Sequence, residues 1–153
     1  MRKLKEVFLI PPVIFMISVL LIFIIYKYLN YILIPKNLFI YILAILLIII
    51  GIVFIISTFY SFHKHKVDIH PFRKPKVLID RFPFSITRNP IYLSFLMFLI
   101  SICLFLRSFI GLIIPISFYL FMTKFVIKME EEIIREKFND TYIKYLNKVR
   151  RWI

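Results

Sequence analysis

Four runs of residues, at about Val7–Tyr26, Leu38–Tyr60, Ile91–Leu106 and Phe109–Thr123, contain no Asp, Glu, Lys or Arg. Backbone in hydrocarbon must satisfy every N–H and C=O internally, so runs of this kind fold as helices. The second run has 23 residues, about 35 Å at 1.5 Å per residue, which crosses a ~30 Å core with some tilt. The last two have only 16 and 15 residues, about 23 Å each. They read as an antiparallel hairpin turning at Arg107-Ser108, with Arg107 snorkelling to the outer surface and the bilayer thinning locally. With 61% hydrophobic residues in a chain of 153, a soluble globular domain is excluded. The expectation is an all-α integral membrane protein of about four transmembrane helices. It forms a single membrane domain over 1–153, with two N-terminal spans (1–60), a loop (61–89) and a C-terminal helical hairpin plus amphipathic tail (90–153).

A net charge of +13 invites a nucleic-acid partner, but the distribution of the charges excludes one. Of the 21 Lys and Arg, 18 fall in the N-terminal tail, the 61–89 loop and the region from Lys124 onward, leaving Lys27, Lys36 and Arg107 for the other side. That asymmetry puts both termini and the central loop in the cytoplasm. It implies a multi-pass protein of the cell inner (plasma) membrane whose functional face looks into the cytoplasm. The basic tail suits attachment to an anionic inner leaflet. The first run follows a basic tail as a signal peptide does. It lacks a small-residue cleavage site and exceeds a typical signal core, so it reads as a membrane helix.

Local punctuation refines this outline. Pro11 and Pro12 suit the start of the first span, and Tyr26, Tyr28 and Tyr31 its far interface. Pro115 predicts a kink in the last span, which continues past Lys124 as an amphipathic extension to about Phe138. Asn139 suits a left-handed stop there. A short basic helix with Tyr142 and Tyr145 on one face follows, and Trp152 reads as an interfacial anchor. Cys103 lies alone in an apolar run and reads as an inert thiol. His63 and His65 lack a third ligand at metal spacing, so no metal is expected, and His70 reads as solvated. The two glycines form no close-packing pair.

The chemistry concentrates in Arg88-Asn89-Pro90-Ile91-Tyr92 and Glu130-Glu131-Glu132. Asn before Pro at the head of an apolar run reads as an N-cap and first helical position, with Tyr92 in the first turn. On a helix, Glu131 and Glu132 reach Lys128 and Arg135, whereas Glu130 has Val126, Ile127, Ile133 and Ile134 around it. A carboxylate on an apolar stripe is costly unless something pairs with it. Because the hairpin begins and ends on one side, the helix start and Glu130 approach each other. Amide donors, a phenol and a carboxylate on an apolar wall suit a zwitterionic or cationic ligand. The plainer alternative makes Arg88 one more positive-inside charge and Glu130 part of a solvated face.

From about Val67 to Ile153 the chain resembles the isoprenylcysteine carboxyl methyltransferase and phospholipid methyltransferase superfamily of membrane enzymes. The matching pieces are Pro71-Phe72-Arg73-Lys74-Pro75, Leu78-Ile79, Pro83-Phe84, Thr87 to Leu93, Glu130-Glu131, Phe138-Asn139, Tyr142, Tyr145 and Val149 to Trp152. The resemblance implies S-adenosyl-L-methionine (SAM) as methyl donor, bound between the hairpin and the tail. It implies that Asn89, Pro90, Ile91, Tyr92, Glu130 and Glu131 contact the cofactor. Lys76, Val77, Leu78, Ile79 and Phe84 lie against its nucleoside part, and Arg88, the candidate catalytic residue, braces the site. Three departures stand out. Phe82 replaces a usual Gly before Pro83, and Asn139 a usual Gly after Phe138. Val126 stands where isoprenylcysteine enzymes carry a substrate-contacting basic residue, which argues against a prenylcysteine carboxylate.

The expected activity is therefore SAM-dependent methyl transfer to a lipid-like or small hydrophobic, membrane-partitioned acceptor. The alternatives are a related membrane reductase, distinguished by binding a reduced nicotinamide, and a non-catalytic membrane component that binds neither cofactor.

Overall fold

A computed structural model describes residues 2–29 (side chains from Pro11 on), 32–66 and 77–153, and every regular element among them is helical. The helices are α1 (Arg2–Leu29), α2 (Leu38–Lys64), α3 (Pro90–Phe105), α4 (Ile113–Phe121) and α5 (Lys128–Leu146). A 3-10 turn, Ile110–Leu112, leads into α4, and a π-helical segment, Met122–Ile127, joins α4 to α5. Three helices are long and apolar enough to cross a membrane: Pro11–Leu29, Leu38–Lys64 and the continuous run Ile110–Leu146. Pro90–Phe105 is a fourth, shorter apolar helix.

Several expectations are corrected. Pro11 and Pro12 lie inside α1, which begins at Arg2, instead of at its start. Helix α2 runs on to Lys64, so His63 belongs to its last turn, and His65 caps it. Pro115 follows closely on the 3-10 turn that leads into α4. It sits in the first turn of α4, where the missing N–H has little to lose, and a second irregularity, the π-helical segment, follows at the end of α4. Arg107 takes a positive φ of 54° and pairs with the loop between α1 and α2. Its Nε donates to the Ile34 carbonyl at 2.9 Å, and Ile34 N–H donates to the Arg107 carbonyl at 2.9 Å. With Leu33 bridging Ser108, these bonds tie the two turns of the bundle together. Tyr31, His70, Pro71 and Pro75 lie outside the described residues.

The core sits where α1, α3 and α4 meet, around Ile22, Leu99, Cys103, Phe118 and Met122. Phe15 stacks on Phe95 there, with ring centroids 4.6 Å apart. The most extensive helix pair is α2 with α3. Lipid tails are as apolar as the helix surfaces, so such seams rely on small residues and interhelical hydrogen bonds. Both occur here. Gly51 lets the Phe98 ring approach so closely that a Cβ would lie 2.6 Å from its Cε1, and buried Ser101 donates to the Ala44 carbonyl at 2.9 Å. Asn139, with φ 37° and ψ −114°, breaks α5 where a left-handed stop was expected. Beyond it, Tyr142, Tyr145 and Val149 form a second small core with Leu78, Ile134 and Phe138.

Candidate active site

The site begins with a turn, not with the helix that follows it. Ile86 and Thr87 fold back by donating N–H bonds to the Pro83 carbonyl at 3.1 and 3.4 Å. Thr87 is fully buried, and its hydroxyl donates to the Arg151 carbonyl at 2.9 Å while accepting from Asn89 N–H at 3.1 Å. Asn89 Nδ2 donates to the same carbonyl at 3.1 Å, and Arg88 N–H to the Arg150 carbonyl at 3.1 Å. The side chain of Asn89 therefore does not cap α3 as expected. It is drawn to the incoming 149–152 segment, and Pro90 alone supplies the helix-start signal. The first-turn amides of Ile91 and Tyr92 have no intrahelical acceptor.

Opposite stands the first turn of α5. Six residues of π geometry precede it, in which each hydrogen bond spans one residue more than in an α-helix. About one additional residue in a turn swings everything downstream by roughly 100° relative to an unbroken α-helix. Tyr92 Oη donates to Glu130 Oε1 at 2.6 Å. Glu131 does not use Lys128 or Arg135, which are exposed on α5. Its Oε1 lies 3.0 Å from Arg88 Nη1, and its Oε2 lies 2.7 Å from Arg151 Nη2. Arg151 Nε donates to both oxygens, at 3.0 and 3.1 Å. That bonding raises the Arg151 guanidinium above its ordinary pKa. Arg88 and Glu131 keep only 14% and 15% of their side chains exposed, so this is a shielded pair.

These elements enclose a cleft of about 100 Å³ lined by Leu78, Ile79, Phe84, Arg88, Asn89, Glu130, Glu131, Ile134, Tyr142 and Tyr145. The buried Arg88 Nε has no hydrogen-bond partner. Tyr145 Oη donates to the Phe84 carbonyl at 2.7 Å, holding the apolar wall against α5.

Seven of the expected site residues thus come together: Leu78, Ile79, Phe84, Arg88, Asn89, Glu130 and Glu131. Tyr92 reaches the site through Glu130, Pro90 is buried under it, and Ile91 follows on α3 away from the lining. Val77 is exposed at 46% and lines nothing. Lys76 lies outside the described residues. Sequence reasoning did not assign Thr87, Ile134, Tyr142, Tyr145 or Arg151 to the site. The Tyr142 and Tyr145 spacing after Asn139 was a usable signal, and Arg151 belonged to the Val149 to Trp152 piece of the resemblance without being given a role. No group of three His, Cys, Asp or Glu that could hold a metal occurs among the described residues. Trp152 packs on the α4 side: its Nε1 donates to Thr123 Oγ1 at 3.0 Å and its ring lies 4.9 Å from that of Tyr119.

The phospholipid methyltransferase family matches residues 39–141, more than half of the chain, a stretch that takes in α2 from its second residue, α3, α4 and α5 as far as Thr141. An uncharacterized protein of Haemophilus influenzae is 39% identical over 62 residues, which are 40% of this chain and 98% of that protein. No solved structure matches. A bundle of apolar helices, a cleft at the junction of α3 and α5 and a match of this extent agree: the chain belongs to the phospholipid methyltransferase family.

Proposed function

We propose that this protein is an S-adenosylmethionine-dependent methyltransferase acting on a lipid-like or small membrane-partitioned acceptor, with its site open to the cytoplasm. The observation that carries the reading is the cleft's pairing of two unlike groups. A half-buried Glu130 carboxylate, held by one phenol, stands across from a buried Arg88 Nε that lacks an acceptor. A ligand bearing a sulfonium or ammonium at one end and a carboxylate at the other satisfies both.

The residues fit such a cofactor. Glu130 takes the cationic end, with Tyr92 fixing which carboxylate oxygen faces the cleft. Arg88 Nε takes the carboxylate, helped by the first-turn amides of α3, where the helix dipole favours an anion. Leu78, Ile79 and Phe84 give an apolar wall for a flat nucleoside. A volume of about 100 Å³ is below the ~300 Å³ of ordinary ligand pockets, so the cleft as it stands holds part of the molecule. When bound, S-adenosylmethionine supplies a methyl carbon whose bonding pair returns to sulfur as the acceptor's lone pair takes the carbon. The protein's part is to align the two reactants and exclude water.

Two measurements test this. Isothermal binding of S-adenosylmethionine to detergent-purified protein is expected to saturate at one equivalent. Labelled methyl is then expected to appear in a membrane-lipid extract incubated with protein and cofactor. Absence of binding by folded protein overturns the reading.

A further inference from the structure

We infer that Arg151 is a positioning residue of the candidate site and that the Val149–Trp152 segment is the strap that holds the site in register. The inference rests on the cofactor reading above and goes beyond it, because that reading gives Arg151 no part in holding the ligand.

The strap is fastened to three elements at once. Its carbonyls at 150 and 151 take the Thr87 hydroxyl, the Arg88 N–H and the Asn89 side-chain amide, so the turn ahead of α3 is fastened to the strap as well as folded on itself. Its Arg151 guanidinium grips Glu131 through Nε and Nη2, the forked geometry that only Arg provides. Its Trp152 ring locks onto α4 and the π-helical segment through Tyr119 and Thr123.

Glu131 is the hinge of this arrangement. Both of its oxygens are engaged by arginines, Arg88 from the cleft side and Arg151 from the strap. It has no lone pair aimed at a ligand that is not already shared. Its task is to hold Arg88 with Nε free, while Glu130, one residue earlier, faces the ligand. Without Arg151, Arg88 can swing to chelate Glu131 by itself, and the free Nε is lost to the cleft. Adjacent carboxylates thus divide the work: Glu130 meets the ligand and Glu131 tethers the arginine that meets it.

The test uses full-length protein in detergent with S-adenosylmethionine as the binding probe. The variants are Arg151→Ala, Arg151→Lys, Arg150→Ala, Glu131→Gln and the Glu131→Gln/Arg151→Ala pair. Arg150→Ala removes the same charge one residue away but leaves the carbonyl that Arg88 uses, so its affinity is expected to stay within about twofold of wild type. Arg151→Ala is expected to weaken binding by about tenfold or more, the scale of a lost charged hydrogen bond, and Arg151→Lys to recover part of it. In the Glu131→Gln background, Arg151→Ala is expected to add little, as coupled residues require. A second readout needs no cofactor. Trp152 is the only tryptophan, so acrylamide quenching of its emission reports whether the strap is docked, and Arg151→Ala is expected to increase it. Unchanged affinity or unchanged quenching in Arg151→Ala overturns the strap, as does an equal loss in Arg150→Ala. Failure of the wild type to bind S-adenosylmethionine overturns the cofactor reading instead, and the quenching measurement then judges the strap alone.

Discussion

Tyr92 and Glu130, 38 residues apart in sequence, are joined by an O–H···O bond of 2.6 Å across the gap between α3 and α5. A phenol that donates to one carboxylate oxygen fixes the rotamer of the acid without neutralising its charge. Glutamine keeps the accepting oxygen and the shape but removes the charge. Glu130→Gln is therefore expected to leave the melting temperature near wild type while lowering affinity for S-adenosylmethionine about tenfold to a hundredfold. Tyr92→Phe, which removes the orienting donor alone, is expected to lose less. Titration calorimetry beside thermal melting separates these outcomes, and normal binding by Glu130→Gln removes the carboxylate from the site.

The α2–α3 seam gives a prediction about stability. A methyl group on residue 51 meets the Phe98 ring at 2.6 Å, well inside van der Waals contact. Gly51→Ala is expected to destabilise by about 1–3 kcal/mol through overpacking, seen as a lower melting temperature in detergent. Adding Phe98→Leu is expected to restore part of the loss, because it withdraws the clashing atoms.

Asn139 carries a positive φ in the middle of α5. Asn139→Ala is expected to cost about 1 kcal/mol, the penalty of a Cβ in that region, whereas Asn139→Gly is expected to be tolerated. The same pair measured by cofactor binding reports whether the bend delivers Tyr142 and Tyr145 to the cleft. A larger effect of glycine than of alanine contradicts this account.

Orientation in the membrane is testable through the only cysteine. Cys103 is fully buried, so it gives a silent background for thiol labelling. With the 149–152 side in the cytoplasm, Lys148→Cys is expected to react with an impermeant maleimide only in inverted vesicles. Lys36→Cys is expected to react only in intact cells. The reverse pattern inverts the proposed topology.

How much of this was legible beforehand depends on the range of the interaction concerned. Four uncharged apolar runs announced the helices, because hydrocarbon admits no other economy of backbone hydrogen bonds. The left-handed break at Asn139 was also legible, since its cause is local. Asn89-Pro90 correctly marked where α3 begins, yet Asn89 spends its amide on a carbonyl 62 residues away. Arg107 and Trp152 likewise have partners far along the chain, in Ile34 and Thr123, that no local pattern announced.

The sequence by itself determined that this chain lives among apolar helices and that Glu130 is a carboxylate in apolar company, because periodicity and composition are properties of neighbours along the chain. Only the tertiary structure decided which acid does what. Helical spacing set Glu130 apart by its apolar neighbours, but it assigned Glu131 to Lys128 and Arg135 and not to the two arginines it meets. The π-helical segment ahead of α5 and the strap at Arg151 turn one toward Tyr92 and the cleft and the other between two arginines. That division arises from contacts made across 20 to 43 residues, beyond the reach of any helical repeat.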